Sequence, residues 1–252
     1  MDLKMLKNNH PQRRLFYPCA LVALLLCTWV LPLLAGETHG SGGINAPQHQ
    51  DKPYLILVSI DGFRWDYMDR YPTPNLDRIA ATGSKADRLI PVFPTLTFPN
   101  HYSIATGMYP AHHGIVANVF PDPTRNRWYE ISNRETVEDG SFYDGEPIWV
   151  TAESQGMVAA AFFFVGTEAP VKGISPTHWR SFDKKISGEA RVDQLLTWLG
   201  QAEDTRPHMY TLYFETVDDH SHWYGPESDE NIQAIQQVDA YIGRLLDGIR
   251  TL

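Results

Sequence analysis

The chain has 252 residues, 43% of them apolar and 20% charged, with a formal charge of −9. That composition excludes a wholly disordered chain. Residues 1–36 hold Lys4, Lys7, Arg13 and Arg14 against Asp2, so the remainder carries −12, and an acidic body lacks the basic face that duplex nucleic acid requires.

In chain order, the first element is a basic start followed by an uncharged run from Leu15 to Gly36. Its core of thirteen residues, Cys19 to Leu31, lies between Pro18 and Pro32. That length suits a signal-peptide core better than a bilayer span of about 20 residues. Residues 1–36 therefore read as a signal peptide or an N-terminal anchor. The protein is expected to be exported, periplasmic or secreted, with membrane contact only through residues 15–36. Both cysteines, Cys19 and Cys27, fall in this segment, so metal ligands in the body must be carboxylate, imidazole or hydroxyl.

Residues 37–52, rich in Gly and polar side chains, read as a flexible linker. Residues 53–252 read as the folded body of the chain. The apolar run Tyr54 to Ile60 predicts a buried parallel strand that stops at Asp61-Gly62. Thr73 and Pro74 predict the start of a helix carrying Leu76, Ile79 and Ala80, closed by Gly83. Further strands are predicted over Val158–Val165 and Met209–Glu215. Helices are predicted from Ser187 to Leu199 and from Ser228 to Ile249, the latter with Ile232, Ile235, Ile242, Leu245 and Leu246 on its apolar side. This alternation predicts an α/β fold with a largely parallel sheet and helices on both faces. A helix that crosses a sheet should lead into another strand, so the sequence ending at Leu252 reads as a fold whose C-terminal part is missing.

In such a sheet ligands bind beyond the carboxyl ends of the strands. Asp61 follows the first strand, although Asp-Gly is also a common turn. Asp218, Asp219, His220 and His222 follow the third. Two carboxylates and two imidazoles so close together repel one another unless solvated in a loop or neutralised by a cation. Thr97 can cap a helix running to Gly107, and a hydroxyl at a helix N-terminus sits in a field that welcomes phosphate.

The string Thr97-Phe98-Pro99-Asn100-His101-Tyr102, followed by Thr106-Gly107 and His113-Gly114-Ile115, resembles the nucleophile region of the nucleotide pyrophosphatase/phosphodiesterase family. Ser59-Ile60-Asp61-Gly62 resembles that family's first metal strand, and Asp218 with His222 before Gly225-Pro226 resembles its second metal segment. The resemblance implies an alkaline-phosphatase-like fold and metal-dependent hydrolysis of phosphodiester or pyrophosphate bonds in nucleotides through a phosphorylated threonine. It implies two zinc ions, one held by Asp61 and Thr97 and the other by Asp218 and His222. It also implies that Asn118 binds a nonbridging phosphoryl oxygen and that Phe98 and Tyr213 flank the base or leaving group. His101, His113 and His220 are read as structural.

Two positions depart from the family pattern, Leu96 where a basic residue is common and Ser221 where Gly is common. No Asp-His-Gly triplet follows residue 222, so the later metal ligands are absent and the 252-residue chain alone is expected to be inactive. The alternatives are a phosphomonoesterase or phosphonate hydrolase on the same fold, and a nonenzymatic binding domain. A sulfatase is disfavoured, because no Cys or Ser sits in the Cys/Ser-x-Pro-x-Arg setting.

Overall fold

The computed structural model describes residues 42–252. The export segment over 1–36 and the first part of the linker lie outside these residues. Among the described residues no helix is long and apolar enough to cross a membrane. Part of the stretch read as linker is held to the body. Asn45 is buried; its backbone N–H donates to the Asp204 carbonyl at 2.7 Å, and its side chain accepts from Val158 N–H at 2.8 Å and donates to the Arg206 carbonyl at 2.7 Å. A 3-10 turn, Pro47–His49, follows.

The body is built on four parallel strands, β1 (Leu55–Ile60), β4 (Ala159–Phe162), β5 (His178–Arg180) and β6 (Met209–Phe214), in the order β1-β6-β4-β5. Leu55 pairs with Met209 and Ile60 with Phe214, so β1 and β6 end level and release their loops side by side. Every residue of β6 is buried, as expected of a central strand covered on both faces. The first strand differs from expectation: β1 is only half-buried, because it lies at the sheet edge among these strands. The strand predicted over Val158–Val165 ends at Phe162, because Phe163 turns into the left-handed region at φ 56°. A small antiparallel hairpin, β2 (Val119–Asp122) and β3 (Arg127–Glu130), stands apart from this sheet.

The helices are α1 (Tyr67–Arg70), α2 (Pro74–Thr82), α3 (Thr97–Thr106), α4 (Pro110–His113), α5 (Arg134–Val137), α6 (Ile148–Ser154), α7 (Gly188–Leu199), α8 (Thr216–Tyr224) and α9 (Asp229–Thr251). Neighbouring side chains on β6 show that both faces are covered. The Tyr213 ring meets His101 of α3 edge-on at 5.2 Å, whereas the next residue, Phe214, stacks on Tyr241 of α9 at 5.5 Å. Consecutive strand residues point to opposite faces, so α3 and α9 cover opposite sides.

Predicted caps hold at Ser187, whose hydroxyl accepts from Ala190 N–H, and at Ser228, which accepts from Asn231 N–H. Thr73 makes no such bond. The first amides of α2 instead donate to Asp239, buried in the middle of α9, from Asn75 at 3.1 Å and Leu76 at 2.8 Å.

Candidate active site

The site begins where β1 and β6 end. Asp61 N–H donates to the Phe214 carbonyl at 2.9 Å, extending the ladder by one residue. The Asp61 carboxylate accepts from Gly62 N–H at 3.0 Å and from the Tyr213 hydroxyl at 2.9 Å. Burial, reinforced by the Asp61 charge, raises the Tyr213 phenol well above its ordinary range, so it remains a donor to Asp61.

Gly62 has φ +68°, and a Cβ there would lie 2.6 Å from Asp218 Cα. Only glycine lets the exit of β1 and the first turn of α8 approach this closely. The cluster after β6 is a helix rather than a solvated loop: Asp218 and His222 sit on α8 with the i, i+4 spacing that places them on one face. His222 Nε2 lies 3.5 Å from Asp218 Oδ1. Burial, then the neighbouring Asp61 charge, raises the Asp218 pKa above the usual carboxylate value. Asp219 also borders the cavity described below and accepts with both oxygens from Lys184 Nζ, at 2.8 and 2.7 Å. His220 Nδ1 bonds back to the Thr216 carbonyl at 2.7 Å.

Thr97 is the first residue of α3, with Leu96 at the cap position and no side-chain capping bond. The plain N-cap role is therefore not realised. Its turn is clamped from below: the Thr97 carbonyl accepts from His101 Nδ1 at 2.7 Å, which leaves His101 Nε2 to accept from the Ser59 hydroxyl at 2.7 Å. One imidazole thus ties the start of α3 to β1. Asn100 fastens the approach, accepting from Val92 N–H at 2.8 Å and donating to the Leu96 carbonyl at 2.9 Å. Phe98 N–H donates to Asn118 Oδ1 at 3.1 Å, which brings Asn118 from the loop before β2 to the N-terminus of α3.

Thr97, Phe98, Asn118, Tyr213, Asp218 and His222 all border one cavity of about 280 Å³. Asp61 is not on its wall but stands behind Tyr213. Sequence reasoning missed the far wall, which includes Phe182, Arg134, Glu168, Lys184 and Glu215. Phe182 meets Tyr213 at 6.2 Å, and Glu168 pairs with Arg134 and accepts from Phe182 N–H at 3.1 Å. Glu215 lies at the end of a predicted strand, and the others come from loops and a single-turn helix, where no periodicity marks them. Among the described residues no group of three or more His, Cys, Asp or Glu is arranged to hold a metal.

With this geometry in view, comparison with known proteins identifies the class. The profile of the type I phosphodiesterase / nucleotide pyrophosphatase family matches residues 55–252, and the chain belongs to that family. Among its relatives, ectonucleotide pyrophosphatase/phosphodiesterase family member 1 of Homo sapiens is 40% identical over 214 residues, covering 83% of this chain and 23% of the relative. The venom phosphodiesterase CdcPDE of Crotalus durissus collilineatus is 39% identical over 219 residues, covering 86% and 26% respectively. The solved structure of murine ectonucleotide pyrophosphatase / phosphodiesterase 5 superposes with a TM-score of 0.74 at 33% identity, covering 79% of this chain and 52% of that one. The same murine protein has been solved in an inactive threonine-to-alanine form in complex with AMP, with a TM-score of 0.75 at 32% identity, covering 79% and 53%. The chain thus spans about a quarter of the length of these curated relatives and about half that of the solved structures.

Proposed function

We propose that this protein hydrolyses phosphodiester or pyrophosphate bonds in nucleotides, outside the cytoplasm, with Thr97 as nucleophile. The observation that carries this reading is the convergence of Thr97, Asn118, Asp218 and His222 on one cavity, with Asp61 one hydrogen bond behind it. The AMP held by the inactive murine relative supports a nucleotide as the occupant.

The donor set fits divalent cations. Two carboxylates issue from adjacent strand ends, and Asp218 is pushed toward its neutral form by burial and by Asp61, a penalty that a cation would reverse. Asp61 with Thr97 would hold one zinc, and Asp218 with His222 the other. Bound zinc would supply positive charge to an anionic phosphodiester and its attacking hydroxyl. Two protein ligands per ion fall short of the three usual for catalytic zinc, so each ion needs a ligand from outside this set.

The residues of the chain divide the remaining work. Thr97 Oγ1 attacks phosphorus, the bond to the leaving oxygen breaks, and water then hydrolyses the phosphorylated Thr97. Its place at the start of a ten-residue helix favours the anion that forms there. Asn118 keeps its carbonyl oxygen on Phe98 N–H, so its amide NH₂ is the end offered to a nonbridging phosphoryl oxygen. Phe98 and Tyr213 flank the base or leaving group, and Phe182 lengthens the aromatic wall.

The test compares bis(p-nitrophenyl) phosphate with p-nitrophenyl phosphate, using the longest product of the gene and its Thr97→Ala variant. Diester turnover should exceed monoester turnover and vanish in the variant, with the melting temperature nearly unchanged because no capping bond is lost. Near-normal turnover in Thr97→Ala would end the nucleophile assignment. Faster monoester turnover would move the protein to the phosphatase side of its superfamily.

A further inference from the structure

Arg191 and Glu215 form a buried ion pair that the proposed chemistry does not use. Their side chains are 3% and 10% exposed, and the pair is bidentate, with Nη1 donating to Oε2 at 2.6 Å and Nη2 to Oε1 at 2.7 Å. The same guanidinium donates through Nη1 to the Tyr213 carbonyl at 2.9 Å and through Nε to the Ile186 carbonyl at 3.0 Å. Its centre lies 4.9 Å from the Phe163 ring. Stability alone is a weak reason for such a pair, because apolar residues of similar volume commonly replace a buried pair without loss.

The attachment points share a location. Tyr213 carries the hydroxyl that holds Asp61. Glu215 is the residue from which α8 starts, three positions before Asp218. Phe163 and Glu215 border the cavity. Arg191 therefore grips the last residues of β6 at both a carbonyl and a side chain, at the bend where the strand becomes the helix bearing Asp218 and His222. The tolerance at that bend is small, since the Asp218 backbone already abuts Gly62.

We propose that the Arg191–Glu215 pair is a positioning device that fixes the exit of β6, so that α8 presents Asp218 and His222 beside Asp61. The inference rests on the metal-site reading above, but its structural half is testable without metal. If the guanidinium sets the bend, removing it frees the first turn of α8 before it affects the rest of the core.

The principal variant is the apolar pair Arg191→Met with Glu215→Leu, measured beside Glu215→Gln, which keeps the shape and removes the charge. In chelator-treated protein, amide hydrogen exchange over residues 216–222 should accelerate at least tenfold in the apolar variant. Its melting temperature should fall by several degrees, because Arg191→Met also strands the Tyr213 and Ile186 carbonyls, with the variant still folded at the temperature of the exchange measurement. Zinc affinity, read by competition with a chromophoric chelator, should fall at least tenfold, and Arg191→Lys should recover part of it. Unchanged exchange over 216–222 in a folded apolar variant would overturn the proposal. Should that variant not fold, Glu215→Gln decides by the same two readings. A parent that binds no zinc would refute the metal reading separately and leave the exchange comparison to settle the positioning role.

Discussion

At Asn118 the proposed phosphoryl contact and the observed hydrogen bond use opposite ends of one side chain. Its carbonyl oxygen is occupied by Phe98 N–H at 3.1 Å, so the amide orientation is set before any substrate arrives, and preorganised donors of this kind carry much of the stabilisation of a developing phosphoryl charge. Asn118→Ala should lower diester turnover by about 100-fold to 1000-fold, with the protein still folded. A steady-state rate within twofold of the parent would reduce Asn118 to a turn residue. Gly62 is constrained in a different way. Its φ of +68° and the 2.6 Å approach of a would-be Cβ to Asp218 Cα leave Gly62→Ala no relaxed conformation, because the obstructing atoms are backbone. The substitution should cost about 1–3 kcal/mol in chemical denaturation and weaken zinc binding more than Asn118→Ala does. Equal zinc affinity in the two variants would show that the β1–α8 contact does not shape the metal site.

At the scale of elements, the long helix α9 holds the start of α2 through a buried carboxylate. Asp239 is 3% exposed and accepts from Asn75 N–H, Leu76 N–H and Asn75 Nδ2, the last at 2.9 Å. Asp239→Ala strands these donors against an apolar surface, and each buried unsatisfied group costs about 1–3 kcal/mol. Urea denaturation should show a loss of at least about 1–3 kcal/mol, with turnover per folded molecule unchanged. This contact also marks where sequence legibility stops. The ends of β1 and β6 were readable because an apolar run that breaks at Asp61, or at the Asp218 cluster, is a local signal. The helix from Ser228 was readable from its period. Asp239 lies within that helix as one more polar residue, and its partner is 164 positions away. The same holds for the far wall of the cavity, where Arg134 meets Glu168 over 34 residues and Lys184 meets Asp219 over 35. Pairing at such separations is decided by the fold, so local residue pattern carries no trace of it. The half-exposed β1 is a related case, since an apolar run reports a strand but not its place in the sheet order.

Over the molecule as a whole, acid should lower stability over two pH windows, and histidines set the first. Burial holds His113, His178 and His208 below the ordinary imidazole value of 6.5. His113 is fully buried, with Nδ1 accepting from Ile115 N–H at 3.2 Å and Nε2 2.9 Å from the Ser103 hydroxyl, so its charged form has no access to water. The unfolded chain binds these protons near pH 6.5 and the folded chain only at lower pH. Stability therefore falls as pH drops below 6.5, and the loss levels off once pH passes the folded-state values. Each histidine contributes at most about 1.4 kcal/mol per pH unit. The second window lies lower. Asp122 is held well below the usual carboxylate range by hydrogen bonds from Thr124 and Arg125, and its contribution is lost only as pH falls below its unfolded value of 3.8. The cleanest probe of the first window is His208→Phe, because His208 is buried and already stacks on Tyr54 at 4.6 Å, so an aromatic ring without a titrating nitrogen keeps that packing. Urea unfolding of chelator-treated protein between pH 7.5 and about 5 should show a shallower decline in this variant, by no more than one proton's worth of slope. A decline identical to that of the parent would mean that His208 is protonated in the folded state as readily as in the unfolded one.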